Sequence, residues 1–229
     1  MKGPVVTEIN KDTFWDLIAQ AKEHCGQDLD ALAQWLEEQL LTMGPVQAQN
    51  FDYIVHAYSD LAYKYGLWTA ASVMLDGCTD DGFIDFRGWL IAQGKDIYFA
   101  ALKDLDSLAD IPLYGDCCFE SLAYVGDRVY EKLTGTSAYY SFDRPAYEKL
   151  KRELVRDIQY GDGIDYPYKW SETAAYLPKL CAKYMMQEEL AWKIQYHDDT
   201  WNINSPDIQA ARATAPKNKK IKKDRGDSR

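Results

Sequence analysis

An arginine in the middle of an apolar helical face is the tightest constraint this chain places on its fold. Residues Leu67 to Gly94 read LWTAASVMLDGCTDDGFIDFRGWLIAQG, two helical segments joined by the acidic turn Asp76-Gly77-Cys78-Thr79-Asp80-Asp81-Gly82. On a helical wheel with Asp81 at zero, Phe86 and Leu90 fall near ~140° and ~180°, and Phe83 near ~200°. Ile91 and Ile84 fall near ~280° and ~300°, which completes one broad apolar face. Arg87 falls near ~240°, inside that face. An arginine keeps its proton, so a core-facing guanidinium requires a carboxylate or several carbonyls around it. Asp85 and Trp89, one turn apart, lie on the other side near ~40° and ~80°.

The turn supports two readings. Locally, Thr79, Asp80 or Asp81 caps the second helix by accepting backbone N–H bonds, and Gly77 takes the left-handed position after the first. Functionally, Asp80, Asp81, Asp85 and Arg87, with Trp68 and Trp89 beside them, form a candidate ligand-binding site. Carboxylates suit a hard cation and Arg87 suits an anion. The alternating spacing of a calcium loop is absent, so no metal ligands are assigned.

The rest of the chain repeats the helical period. Asn10 or Asp12 opens a first helix to Cys25, with Phe14, Leu17, Ile18 and Ala21 on one face. Asp28 opens a second to Met43, and Gly44-Pro45 stops it and starts a third. That third helix runs to about Tyr65, with Phe51, Ile54, Val55, Tyr58 and Leu61 inward. Its outer arc carries Gln49, Asp52, His56, Ser59, Asp60 and Lys64. A helix from about Asp116 to Leu133 places Glu120 among apolar neighbours, as the candidate partner of Arg87 and a further candidate site residue. Asp143-Arg144-Pro145 starts a charged helix to Tyr160. These patterns predict a mainly α-helical fold, a compact bundle of about seven to nine helices with no substantial sheet. The expected division is a helical core over 1–160, a helical or irregular extension over 161–203 packed on it, and a basic disordered tail over 204–229.

Charge and composition narrow the function classes. The formal net charge is −10. The thirteen residues from Lys217 hold seven Lys or Arg and two Asp, leaving 19 basic against 34 acidic residues in the body, a charge of −15. An acidic body opposes nucleic-acid binding through phosphate neutralisation and fits a basic partner. Five cysteines without paired spacing suggest a reducing, cytoplasmic setting. The opening residues lack an apolar run behind a basic start and no stretch of about 20 apolar residues occurs, so neither a signal peptide nor a membrane span is expected. Phosphate-binding glycine loops, glycine-framed serine nucleophiles and paired-histidine zinc helices are missing, so no cofactor is expected. His56, on the polar face of the third helix, reads as an ordinary surface residue. Cys78 lies among acids that raise its pKa and oppose a reactive thiolate.

The segment GCTDDGFIDFRGWLIAQG, preceded by LWTAA, resembles the signature of a bacterial family known only as domain of unknown function number 4240. The matching positions include Leu67, Trp68, Gly77, Cys78, Asp80, Asp81, Phe83, Phe86, Arg87, Trp89, Leu90 and Gly94, and Phe14 to Ile18 resembles the family's opening. The resemblance spans roughly Thr13 to Leu133; Thr79 departs from the Ser often found there but keeps the hydroxyl. It implies where to look and no chemistry. Two functions stay open: a soluble, non-enzymatic binding or regulatory protein with a protein partner, or an enzyme or small-ligand binder using the 78–89 turn, with or without a divalent cation. A third reading makes the same residues a buried ion-pair network that sets helix register.

Overall fold

The computed structural model describes residues 6–112, 116–198 and 210. Among them are eleven α-helices and no strand, so the chain is mainly helical, with more helices than the seven to nine expected. The first six are α1 (Thr13–Cys25), α2 (Leu29–Met43), α3 (Pro45–Leu61), α4 (Tyr65–Met74), α5 (Asp80–Ala92) and α6 (Lys95–Lys103). A 3-10 turn at Leu105–Asp110 precedes α7 (Leu122–Thr134), and another at Ala138–Ser141 precedes α8 (Arg144–Leu154). The extension holds α9 (Trp170–Tyr176), α10 (Pro178–Tyr184) and α11 (Gln187–His197).

The starts follow local chemistry. Asp28 accepts the Ala31 N–H at the head of α2, Thr79 that of Gly82 at α5, and Asp143 that of Ala146 at α8. Pro45 and Pro178 open α3 and α10, where a missing N–H costs nothing. The extra helices lie in the extension, where Pro178 divides the stretch from Trp170 to Tyr184 into α9 and α10 and α11 follows. Two of the expected helices end early. The expected third helix stops at Leu61 and α4 begins after a short kink. The charged helix stops at Leu154 and passes into a 3-10 turn. The segment before α7 is irregular, so Glu120 lies in a loop and not on a helix.

α3 is the hub, packed by α2, α5, α7 and α8. At its centre Trp15, Tyr58 and Tyr98 are buried together. The Trp15 indole N–H donates to the Tyr58 hydroxyl at 3.0 Å, and the Tyr98 hydroxyl donates to the Tyr58 carbonyl at 2.6 Å. Buried aromatic bulk therefore carries no stranded polar edge at this point.

α7 crosses α3 at Gly126, where a Cβ would lie 2.6 Å from Asp52 Cβ and 2.8 Å from the Ala48 carbonyl oxygen. That approach covers Asp52, assigned by periodicity to the outer arc, and leaves it only 9 % exposed. α10 is held by Asp106, whose carboxylate accepts the Lys179 and Leu180 N–H groups at 3.0 and 2.9 Å. Lys193 of α11 reaches Asp76 at 2.6 Å. The basic tail from Lys217 lies outside the described residues.

Candidate functional site

The expected site separates into a buried half and an exposed half. Asp80, Asp81 and Glu120 are exposed, and Asp85 is half-buried. Burial, together with Glu120, Asp81 and Asp116, raises the Asp85 carboxyl above its ordinary range. Trp68 stacks on Phe83 at 4.9 Å and donates its indole N–H to the Cys78 carbonyl at 2.8 Å, so it fastens the turn to α5. The Cys78 thiol is pushed up to about 12, by burial first and then by Cys118 and Asp85.

Trp89 is fully buried, contrary to its position on the wheel away from the apolar face. The reason is tertiary: the C-terminal half of α5 is covered on all sides, with Phe86 to Ala92 buried throughout. Ile84, placed inward by the same wheel, is 45 % exposed.

Arg87 is buried, 5 % exposed, as its position in the apolar face requires. Its expected neutralising carboxylate is not there. Among the described residues no acid lies within ion-pair distance, and Glu120 does not reach it. Instead Nε donates to the Phe83 carbonyl at 3.1 Å and Nη1 to the Ser59 carbonyl at 2.7 Å. The guanidinium carbon sits 4.9 Å from the Phe83 ring centre and 5.0 Å from that of Tyr63. Carbonyl dipoles and two π faces do the work assigned to Glu120, so Arg87 ties α5 to the end of α3. Burial lowers its pKa, and Asp60 is the first of the groups that oppose this. Because no carboxylate is stranded by its removal, Arg87→Met should cost about 1–3 kcal/mol, the scale of lost charge-assisted hydrogen bonds. The larger penalty of about 3–5 kcal/mol belongs to a broken buried ion pair. Urea unfolding at unchanged slope measures the difference.

A second cluster lies beside this one, on the other flank of α3. Asp52, His56 and Asp60 follow one another at four-residue spacing and share a stripe. Asp127 and Tyr124 of α7, the turn at Ala138–Ser141, Phe142 and Tyr147 of α8 close a cleft of about 360 Å³ over that stripe. Local bonds hold its walls. Asp127 Oδ1 accepts from the Ser137 hydroxyl at 2.8 Å and the Ala138 N–H at 2.6 Å. The Asp143 N–H donates to the Tyr53 hydroxyl at 2.6 Å. Asp60 Oδ2 accepts from the Tyr147 hydroxyl at 2.8 Å and from Lys151 Nζ at 2.9 Å. Tyr53, Phe142 and Tyr147 meet pairwise with ring centres 5.3–6.0 Å apart and form an aromatic wall.

The Asp52–His56 pair is the unusual element. Asp52 Oδ1 is sealed from solvent and has no hydrogen-bond donor. His56 Nε2 stands 3.5 Å away, an ion pair when the imidazole is protonated but long for a hydrogen bond. Asp52 raises the His56 pKa, against the opposite pull of burial, and Asp60 and Asp127 add to it. Periodicity had placed all three α3 residues on a solvated face. The signal that was available is the spacing itself, acid–His–acid at four-residue intervals within the segment Phe51 to Leu61, where the intervening residues are almost all apolar.

The cleft draws its three carboxylates and its histidine from one part of the chain, with Tyr53 and Tyr124, and the rest of its aromatic lining from another. Asp52, His56, Asp60 and Asp127 lie N-terminal to residue 132, whereas Ala138, Tyr139, Phe142 and Tyr147 follow it. No curated protein matches the chain, and no solved structure matches it. A family profile does match, over residues 9–132, which takes in α1 to α6, the acidic turn, Arg87 and nearly all of α7. That match covers more than half of the 229 residues, and the chain accordingly belongs to the family described as "Protein of unknown function (DUF4240)".

Proposed function

We propose that this protein is a non-enzymatic binding protein and that its ligand site is the cleft between α3, α7 and α8. The observation that carries the reading is a carboxylate, Asp52, held nine-tenths buried with one oxygen lacking a donor, against a half-exposed histidine at the floor of a cavity. A buried acceptor left unmatched costs about 1–3 kcal/mol, and such a cost is retained where a group serves binding. The cavity's volume falls in the range of small-molecule sites, about 300–1,000 Å³. Among the described residues that line the cleft with His56 there is no serine, threonine or cysteine, which favours binding over nucleophilic catalysis.

The broader expectations belong to the same proposal. The acidic body supports a site without nucleic acid. No described helix is long and apolar enough to cross a membrane. All five cysteines are free, which supports a cytoplasmic location. The core over 1–160 would carry the site, with 161–203 as its buttress.

A thermal-shift panel of small cations, neutral compounds and anions on the full chain tests the reading. A ligand should raise the melting temperature by mass action, about 2.7 kcal/mol of stabilisation at a hundredfold excess over Kd. Ala123→Trp, at a partly exposed position on the cleft wall, should abolish that shift and leave the unliganded midpoint nearly unchanged. Asp80→Asn combined with Asp81→Asn should leave the shift intact. A shift with the opposite pattern would return the site to the 78–89 turn.

A further inference from the structure

We propose that the cleft takes a small organic cation, an alkylated ammonium group seated against the Tyr53–Phe142–Tyr147 wall, and that its arrival displaces the proton from His56. This rests on the cleft being the ligand site.

The charges facing His56 come from three directions. α3 contributes Asp52 and Asp60, and α7 contributes Asp127. α8 contributes Lys151, which is held by Asp60 at 2.9 Å. On the imidazole's other side, Glu120 and Ser59 line a small cavity of about 50 Å³. Arg128 leans over the Tyr124 ring at 5.6 Å but is paired with Glu37 at 3.2 Å. Three carboxylates against Lys151 leave the cleft at −2 with His56 neutral and −1 with His56 protonated. An anion is therefore repelled in either state, and a monocation is favoured most when the imidazole is uncharged.

A metal ion does not fit the same groups. Among the described residues no three acids, histidines or cysteines are grouped closely enough to hold one. The carboxylates are also divided in their duties: Asp127 Oδ1 is committed to the turn, and Asp60 Oδ2 to Tyr147 and Lys151. What remains is diffuse negative potential behind aromatic surface. That combination suits a cation with a greasy shell, which is drawn to ring faces and does not demand close oxygen ligands. Tyr139, 79 % exposed, and Tyr124 stand at the rim as further faces.

The sign of the proton linkage follows. The pairing with Asp52 holds the His56 pKa above its ordinary value, so protonated His56 is the resident cation at mildly acid pH. A ligand cation in the cleft disfavours that charge. Bound ligand must then lower the His56 pKa, and by reciprocity affinity must rise with pH through it.

Choline is the probe, because its charge does not titrate. Calorimetry on the full chain should show binding about fivefold tighter at about pH 8.5 than at about pH 6, the scale of one partly screened charge. The neutral tert-butyl isostere of choline should bind about tenfold more weakly than choline. Proton NMR of the His56 ring on the unmodified chain should show its titration midpoint shifted down at saturating choline, with no variant required. Choline affinity that is flat with pH, or a His56 midpoint that choline raises, overturns the proton displacement. If the isostere or an anion binds and choline does not, the cation assignment falls while the cleft stands as the ligand site. A compound that binds Ala123→Trp as well as the natural chain overturns the cleft reading itself.

Discussion

Trp89→Ala is expected to destabilise the protein by about 3–5 kcal/mol, among the largest effects any single substitution here should have. The indole is fully buried and packs on Phe86 with ring centres 5.3 Å apart. Its removal loses the transfer energy of a large side chain and leaves a cavity the surrounding helices cannot fill. Trp89→Phe should behave quite differently. The indole N–H has no acceptor, so the native state already carries an unmatched buried donor. Phenylalanine removes that donor while keeping most of the packing, and the net change should stay within about 1.5 kcal/mol. Denaturant unfolding of both variants is the measurement. If Trp89→Ala changed stability by less than about 1 kcal/mol, the residue would not be the core element its burial makes it. Neither variant should alter ligand shifts in the cleft once the lost stability is subtracted.

Gly126→Val should cost about 3 kcal/mol, at the upper end of overpacking effects. Valine would drive its branches into Asp52 and the Ala48 carbonyl, backbone and near-backbone atoms that cannot rotate aside. The informative companion is Gly126→Ala. At an open helical position that change stabilises by about 0.5–1 kcal/mol. Here it should destabilise, because even the first carbon would sit 2.6 Å from Asp52 Cβ. Gain of stability in Gly126→Ala would show that α3 and α7 are not held at this distance. Both variants should also disturb the Asp52–His56 pair, since α7 is what covers Asp52.

Much of the helical content was legible because helix boundaries are local. The Asp28, Thr79 and Asp143 caps and the prolines after Gly44 and Arg144 act within a few residues of themselves. The early ends of α3 and α8 were not legible, because the chain around Leu61 and Leu154 keeps an apolar period beyond the point where each helix stops. Arg87 was legible as a buried cation from its place on the wheel. Its partners were not, since carbonyls carry no mark in a sequence and Ser59 lies 28 residues away. The assignment to Glu120 assumed a helix that begins only at Leu122.

The sequence alone determined that this chain is helical, that the acidic turn caps a helix, and that one guanidinium is buried in the apolar interior. These are properties of spacing, capping and desolvation along a single segment. Only the tertiary structure decided what the guanidinium rests against and which polar face remains polar. A wheel shows that Asp52 and His56 share a side of α3; it cannot show that a glycine on α7 lets that helix close over Asp52 and leave His56 half-exposed. Burial of a side chain is set by the neighbour that covers it, and that neighbour lies 74 residues further along the chain from Asp52 to Gly126.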